Sequence, residues 1–399
     1  MSAMKRLFQL MAEKKASDIF LSVGAPINIK INGNAVPVNQ TVMTAEAVQT
    51  LLYEVLNERQ IKEYEEELEL NTAFALEGVG AFRISAFRQK NSPAVVVRFI
   101  PGSIPPLDSL GVPEVLKEVI MAKRGLILMV GATGSGKSTS LSSMIDYRNE
   151  RKAGHILTLE DPVEFIFQNK KSIVNQREVG TDTKSFNVAL KNALRQAPDI
   201  ILIGEIRDKE TMGMALAYAQ SGHLALATLH ANNSYHAMNR IINFYPLENR
   251  PSLLLDLSAA LQSIISQRLI RTKSGGRMAA VEVLLNTRHI SELIEKGEIN
   301  EIKDALEKSM SPGSQTFEQA LFKLFMDGKI SQEEAMANAD SATNMLWLIN
   351  QATAGDITGQ PAAAAPATPA KEEEKKESIL SPAGGGNASF SSFKIDGVG

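Results

Sequence analysis

A glycine-rich loop over residues 131–138, Gly-Ala-Thr-Gly-Ser-Gly-Lys-Ser, limits the possible folds of this chain more than any other feature. The apolar run 126–130 precedes the loop and a helix-compatible segment follows it, in the order of a phosphate-binding loop. The glycines let successive backbone N–H groups converge on one point at the helix start, where phosphate oxygens are stabilised. Lys137 is expected to reach the β- and γ-phosphates, and Ser138 to ligate Mg²⁺.

The alternative is a glycine-rich turn that binds nothing, and the Lys-Ser pair with its flanking strand argues against it. The residues predicted to bind a nucleoside triphosphate are Gly131, Ala132, Thr133, Gly134, Ser135, Gly136, Lys137, Ser138 and Thr139.

Length and composition narrow the class of protein. The chain has 399 residues, 44% of them hydrophobic, which predicts two or three soluble folded units. No apolar run reaches the roughly 18 residues that span a bilayer, and residues 1–15 lack a signal-peptide pattern, so we expect a cytoplasmic protein. The absence of cysteine excludes disulfides and thiolate chemistry. A net charge of −3 gives no global field that attracts nucleic acid, although a local basic patch remains possible.

Residues 1–101 are predicted to form a small α/β unit, followed by a proline- and glycine-rich linker over residues 102–113. Its predicted helices are Lys5–Lys15 and a helix capped by Thr44 that runs to Leu56. Its predicted strands are Asp18–Val23, Ile27–Ile31, Ala81–Phe87 and Ala94–Ile100, with a tight turn at Asn32-Gly33.

Residues 114–350 are predicted to form an α/β domain with a doubly wound, mostly parallel sheet of the RecA type, because apolar runs alternate with amphipathic segments. The predicted strands are Leu126–Val130, Ile156–Glu160, Ile200–Gly204 and Leu224–Leu229. The predicted C-terminal helices are Leu253–Leu269, Arg288–Lys296, Glu301–Lys308, Phe317–Asp327 and Ser331–Ala339, with Met345–Ile349 as the last fold-like residues.

Residues 351–399 contain Pro/Ala repeats, a charged run and a Gly/Ser tail, a composition that predicts disorder. For Phe390 and Phe393 two interpretations stay open: a short docking peptide, or a solvated chain end.

Acidic residues follow two of the predicted buried strands. Glu205 ends the run 200–204, as expected of a carboxylate that holds Mg²⁺ directly or through water. Glu160 and Glu164 follow another apolar run, and either one is a candidate to orient or deprotonate the attacking water. His223 and His230 flank the run 224–229, where hydrogen bonding to phosphate or carboxylate is more plausible than zinc binding because no third ligand is evident.

Several motifs, taken in order, resemble one family. They are Ala16-Ser-Asp-Ile-Phe-Leu-Ser-Val-Gly24, the glycine-rich loop, Glu160-Asp-Pro-Val-Glu164, the segment 196–208 (Gln-Ala-Pro-Asp-Ile-Ile-Leu-Ile-Gly-Glu-Ile-Arg-Asp), and Gly222-His223 with Thr228-Leu-His230. Over about residues 3–350 the chain resembles the secretion ATPases of type IV pili, in the retraction branch known as the PilT/PilU family. The resemblance implies a homo-hexameric ATPase whose subunits pair an N-terminal PAS-like domain with a C-terminal RecA-like domain.

The resemblance also implies roles for individual residues. Glu160 and Glu164 match the Asp-box glutamates, and we choose Glu164 as the water-activating base. Glu205 matches the Mg²⁺-associated Walker B acid, and His223 and His230 match the His box. Arg83 and Arg98 match N-domain arginines that reach a neighbouring active site, with a solvated strand face as the alternative.

The implied cofactors are ATP and Mg²⁺, and the implied partners are an inner-membrane pilus platform protein and a related retraction ATPase. The resemblance places the chain in the cytoplasm, peripheral to the inner membrane at the pilus base.

One segment departs from the PilT pattern. Where PilT-type motors carry Ala-Ile-Arg-Asn-Leu-Ile-Arg-Glu, this chain reads His289-Ile-Ser-Glu-Leu-Ile-Glu-Lys296, so both arginines are replaced. The chain therefore resembles the PilU side of the family, which implies an accessory retraction motor. The alternative is an ATP-binding structural co-subunit without essential hydrolysis of its own. A RecA-like nucleic-acid translocase is disfavoured, since it would need a basic, aromatic-lined channel.

Overall fold

A computed structural model describes residues 2–31, 33–101 and 103–358 of the chain. The features expected of residues 359–399, including Phe390 and Phe393, lie outside the described residues, as does Asn32 of the predicted turn. No helix in the described part of the chain is both long and apolar enough to cross a membrane.

The first sheet of the described chain has six antiparallel strands in the order β3-β2-β1-β6-β5-β4. The strands are β1 Asp18–Ser22, β2 Pro26–Ile31, β3 Asn34–Val42, β4 Glu69–Leu76, β5 Gly80–Gln89 and β6 Ser92–Pro101. Three helices accompany them: α1 Ala3–Lys14, α2 Ala45–Tyr53 and α3 Glu58–Glu67. Their apolar faces enclose one core, in which Phe8 stacks on Phe82 at 4.1 Å between ring centroids.

Local sequence explains most of this unit. Thr44 caps α2 as predicted, accepting a hydrogen bond from the backbone N–H of Ala47 at 3.2 Å. The predicted β5 and β6 pair antiparallel, with Arg83 opposite Arg98. Strands β3 and β4 were not predicted, because β3 is exposed along nearly its whole length and neither strand has a continuous apolar run.

The second sheet has seven strands in the order β13-β12-β7-β11-β10-β8-β9. The strands are β7 Gly125–Val130, β8 Gly154–Glu160, β9 Ser172–Glu178, β10 Ile200–Ile203, β11 Leu224–Leu229, β12 Leu261–Arg271 and β13 Arg277–Leu285. All neighbours pair in parallel except β12 and β13, which form an antiparallel hairpin. Strand β7 is buried at every position, as a parallel strand covered on both faces requires.

Helices cover this sheet and continue beyond it. They are α4 Val115–Ile120, α5 Lys137–Arg151, α6 Phe186–Ala193, α7 Lys209–Gln220, α8 Ser234–Asn243, α9 Arg250–Ala260, α10 Arg288–Lys296, α11 Glu301–Glu307, α12 Phe317–Met326, α13 Gln332–Asn338 and α14 Ala342–Thr358. The expected class is confirmed: a PAS-like α/β domain and a RecA-like α/β domain with a helical C-terminal part.

The predicted helix Leu253–Leu269 is wrong beyond Ala260, where β12 begins. The apolar residues of 261–270 fit helical spacing as well as strand spacing, so their periodicity alone does not distinguish a helix from a strand. Pairing with β7 on one side and β13 on the other decides for the strand.

Two predicted domain boundaries, at the linker and at residue 351, stay predictions, and the structure describes the residues around them. Within the predicted linker, Leu107 is buried, and the Ser143 hydroxyl donates to the Pro105 carbonyl at 2.7 Å. At the other end, α14 continues to Thr358, past the predicted start of the tail at residue 351. The division into domains at residues 101 and 114 stays a prediction.

Candidate nucleotide-binding site

The order β7-β11-β10-β8 brings the carboxyl ends of four parallel strands to one edge of the second sheet. The glycine-rich loop leaves β7, His230 follows β11, Glu205 follows β10 and Glu160 ends β8. These residues line a cleft of about 580 Å³, called here the loop cleft. Ligands of open α/β sheets bind at this edge, so the sheet order alone unites motifs that are far apart in sequence.

The glycine-rich loop has backbone positions that only glycine fits. Gly131 has φ +156°, and a Cβ there would lie 2.6 Å from the Gln267 carbonyl oxygen. Gly136 has φ +86°, and its Cβ would lie 2.7 Å from Gln267 Nε2. Gly136 is also the N-cap of α5, and within the described chain no side chain caps that helix. The N–H groups of the first turn of α5 are thus available to an anion.

Lys137 lies against the loop that precedes it. Its ammonium donates to the carbonyls of Gly131 and Ala132, each at 2.8 Å, and the residue is 7% exposed. Burial lowers the pKa of Lys137, while the charges of Glu205 and Glu164 oppose that shift. A buried ammonium whose hydrogen bonds go to neutral carbonyls attracts a polyanion, because water screens its charge little.

The two Asp-box glutamates have different surroundings. Glu160 is buried, and its Oε1 accepts from Thr158 Oγ1 at 2.6 Å and Gln176 Nε2 at 3.3 Å. Burial raises the pKa of Glu160, and hydrogen bonds including one from the Glu164 backbone oppose this. Glu164 is exposed and lines the same cleft. Glu160 therefore anchors the segment that carries Glu164, which faces solvent in the cleft.

Glu205 lies at the centre of a charged cluster that includes a residue sequence reasoning missed. Arg207 Nε contacts Glu205 Oε2 at 2.7 Å, and Arg207 Nη1 lies 3.6 Å from Asp161 Oδ2. His230 Nε2 is 3.5 Å from Glu205 Oε1. Burial and then the charge of Lys137 lower the pKa of His230, and Glu205 opposes them. A neutral His230 is thus favoured, one able to donate or accept a hydrogen bond near Glu205.

His223 does not line the loop cleft of its own chain, so its place in the catalytic set stays a prediction. His223 precedes β11 and His230 follows it, so the strand separates them by roughly 20 Å. The His223 ring instead bonds the Ser221 hydroxyl at 3.0 Å and meets Tyr218 edge-on. The carboxyl ends of parallel strands lie at one edge of the sheet and the amino ends at the other, and His223 lies at the amino end of β11.

The two N-domain arginines differ in position. Arg98 lines the loop cleft of its own chain, where its Nε pairs with Asp18 Oδ1 at 3.0 Å and its side chain is 66% exposed. Arg83 is opposite Arg98 in the sheet and is not among the residues that line this cleft. Their proposed action on a neighbouring subunit stays a prediction.

Strand β12 supplies two residues that the predicted helix concealed. Gln267 is 2% exposed; its Nε2 donates to the Ser135 carbonyl at 2.8 Å, and its Oε1 accepts from Ser140 Oγ at 2.7 Å. It therefore fastens the loop to the first turns of α5. Leu269 and Arg277, on the β12–β13 hairpin, line the cleft from the same side.

Replacing Gln267 with Ala is expected to weaken nucleotide affinity about tenfold with a small change in thermal stability, because two hydrogen bonds that shape the loop are lost. Fluorescent ADP titration measures this, with Gln262→Ala, an exposed position of the same strand, as control. Equal affinity in both variants would show that the loop keeps its shape without Gln267.

The residues present fit a magnesium nucleotide. The glycine-rich loop leaves no room for a Cβ at Gly131 or Gly136. The buried Ser135 hydroxyl in the same loop has no hydrogen-bond partner among the described residues. Ser138 and Glu205 both line the cleft and supply the oxygen ligands that Mg²⁺ prefers.

Comparison with known proteins covers most of the chain. A family model described as type II/IV secretion system protein matches residues 2–337. The chain is 48% identical over 353 residues to the type IV pilus ATPase PilU of Pseudomonas aeruginosa, covering 88% of this chain and 92% of that protein. It is 41% identical over 338 residues to the type IV pilus retraction ATPase PilT of the same organism, covering 85% and 98%. A crystal structure of the pilus retraction motor PilT with bound ADP matches with a TM-score of 0.82 at 40% identity, covering 87% and 99%.

Proposed function

Because the chain belongs to the type II/IV secretion system protein family, we propose that it is an ATP hydrolase of the type IV pilus machinery whose turnover supports pilus retraction. The observation that carries this is the meeting of the glycine-rich loop, Glu164 and Glu205 in one cleft. The family resemblance drawn from the sequence motifs is confirmed. The PilT relative was solved with bound ADP, which supports nucleotide use by this chain.

The loop and Lys137 bind the triphosphate. Backbone N–H groups at the start of α5 receive phosphate oxygens, and Lys137 exchanges its bonds to the loop carbonyls for contacts with the β- and γ-phosphates. The exchange is favourable because a buried ammonium is paired only with neutral carbonyls in the structure. Ser138 and Glu205 would hold Mg²⁺, which when bound would supply positive charge to offset the charge of the phosphates.

Glu164 is the general base of this proposal. It lies close enough to influence the charge of Lys137 and faces the open cleft, where a water can be oriented toward the γ-phosphate. Glu160 is a positioning residue, because its buried carboxylate is held by Thr158 and Gln176 and accepts from the Glu164 backbone. His230 and Arg207 orient Glu205.

An accessory, PilU-like role is the finer form of the proposal. The chain shares more identity with PilU than with PilT, and α10 lacks the two arginines of the PilT pattern. The same helix favours the alternative, a co-subunit whose own hydrolysis is not essential. A retraction assay in cells that also hold a PilT-type motor separates them: the Glu164→Gln variant, which keeps ATP binding, fails if hydrolysis is essential and succeeds if the chain is a structural co-subunit.

We further propose a homo-hexamer in the cytoplasm at the pilus base, in contact with an inner-membrane platform protein and a related retraction ATPase. The family relatives support this, and so does the cleft's exposure on one side, which leaves room for a neighbour's residue. Arg83 is the residue proposed to act across that boundary.

Mixing two inactive variants tests the shared site. Lys137→Ala subunits mixed with Arg83→Ala subunits should regain part of the activity, because some interfaces pair an intact loop with an intact Arg83. Lys137→Ala mixed with Arg98→Ala should regain none, since Arg98 lines the cleft of its own chain. Equal recovery in both mixtures, or activity of isolated monomers, would contradict this arrangement.

A further inference from the structure

Residues 230–233 form the loop that follows β11. This loop accepts hydrogen bonds from a residue of the second sheet and also contacts residues outside that sheet. Arg240 Nη1 donates to the His230 carbonyl at 2.6 Å, and Arg268 Nη2 donates to the Asn232 carbonyl at 3.1 Å. Asn233 Nδ2 donates to Asp340 Oδ2 at 2.6 Å. Asp340 belongs to the turn between α13 and α14, so the C-terminal helices reach a loop that lines the cleft.

Asp340 is placed to hold this loop in one position. Its side chain is 15% exposed, and its second oxygen, Oδ1, pairs with Arg268. Arg268 also binds the Asn338 carbonyl and lies over the Phe317 ring, with 3.8 Å from guanidinium carbon to ring centroid. One arginine thus connects the His230 loop, the 338–340 turn and α12. A charged pair with these added hydrogen bonds has few alternative geometries.

The loop is equally fixed on its other side. Asn233 caps α8 by accepting from the His236 backbone at 2.9 Å, and the Ser234 N–H donates to buried Glu282 at 2.7 Å. Glu282 also accepts from Ser266 on β12. The loop that carries His230 is therefore held by residues that do not line the loop cleft: Arg240, Arg268, Glu282 and Asp340.

We propose that Asp340 is a positioning residue that couples the C-terminal helices α12 and α13 to His230, so that a partner bound to those helices alters nucleotide turnover. The inference rests on the proposed ATPase function. Misplacement of a catalytic group by about 1 Å is known to reduce rates strongly, and the proposal needs no contact between Asp340 and nucleotide.

Replacing Asp340 with Ala should lower kcat about tenfold while ADP affinity stays within about twofold. Asp340→Asn keeps an acceptor for Asn233 and should recover part of the rate. Asp327→Ala, an exposed carboxylate at the end of α12, is the matched control and should match the wild type.

A double-mutant cycle separates positioning from general stability. In a His230→Ala background, Asp340→Ala should lower kcat little further, because the effect of Asp340 on kcat depends on the His230 imidazole. A full tenfold loss in both backgrounds, or a fall in kcat explained by loss of folded protein in thermal melts, would overturn the proposal.

A measurement without turnover distinguishes failure of this inference from failure of the proposed function. Without nucleotide, amide hydrogen exchange at residues 230–233 should be slower in the wild type than in Asp340→Ala, because Asp340 holds that loop through Asn233. If ATP is not hydrolysed but this protection appears, the coupling stands and the proposed function fails. Equal exchange in the two proteins would overturn the coupling.

Discussion

Replacing Lys137 with Ala is expected to reduce ATP turnover on the order of 10²- to 10³-fold and to weaken nucleotide binding. Lys137 is the buried cation of the loop cleft, and its ammonium already points along the loop toward the carbonyls of Gly131 and Ala132. A methyl group supplies no charge to the β- and γ-phosphates. Phosphate release and fluorescent ADP titration measure the two effects.

Lys170→Ala is the matched control for this change. Lys170 pairs with Asp146 and Glu150 at the far end of α5, outside the cleft, so its loss should leave turnover unchanged. Wild-type turnover in Lys137→Ala would remove the glycine-rich loop as the active site.

Replacing Glu164 with Gln should reduce turnover about 10²-fold or more with nearly normal ATP binding, because the base that accepts the water proton is lost. Glu205→Gln should also reduce turnover, and its defect should depend on Mg²⁺ concentration, because Glu205 acts on the metal. Glu160→Gln should have the smaller effect on turnover, since Glu160 acts through Glu164. Steady-state kinetics over a Mg²⁺ series measures all three.

If Glu160→Gln abolishes turnover while Glu164→Gln remains active, the base is the buried Glu160. The raised pKa of Glu160 would then assist proton uptake, and Glu164 would be a solvent-facing residue at a strand exit. Equal Mg²⁺ dependence in Glu164→Gln and Glu205→Gln would contradict their separate roles.

The cleft residues that directly follow a buried strand were predictable from the sequence. Buried parallel strands appear as continuous apolar runs, so β7, β8, β10 and β11 and the groups that follow them were identified. The carboxyl ends of these four strands meet because of the order of strands in the sheet. The family resemblance implied that order, and apolar runs alone do not.

Residues defined by distant contacts were not predictable. Gln267 contacts Ser135, 132 positions away, and Asp340 contacts Asn233, 107 positions away. Neither contact has a local pattern, and the ambiguous spacing of 261–270 hid the first within a predicted helix. His223 shows a different limit: the motif was recognised from the sequence, but the direction of β11 places the residue at the edge of the sheet away from the cleft, so its catalytic role stays a prediction.

Phosphate release by the purified wild-type chain, given ATP and Mg²⁺ and no partner protein, tests the central claim most directly. The proposed site predicts many turnovers per subunit, lost when Mg²⁺ is chelated and lost in Lys137→Ala. ATP that binds tightly but releases no phosphate, even when a PilT-type partner is added, would contradict hydrolysis at this cleft.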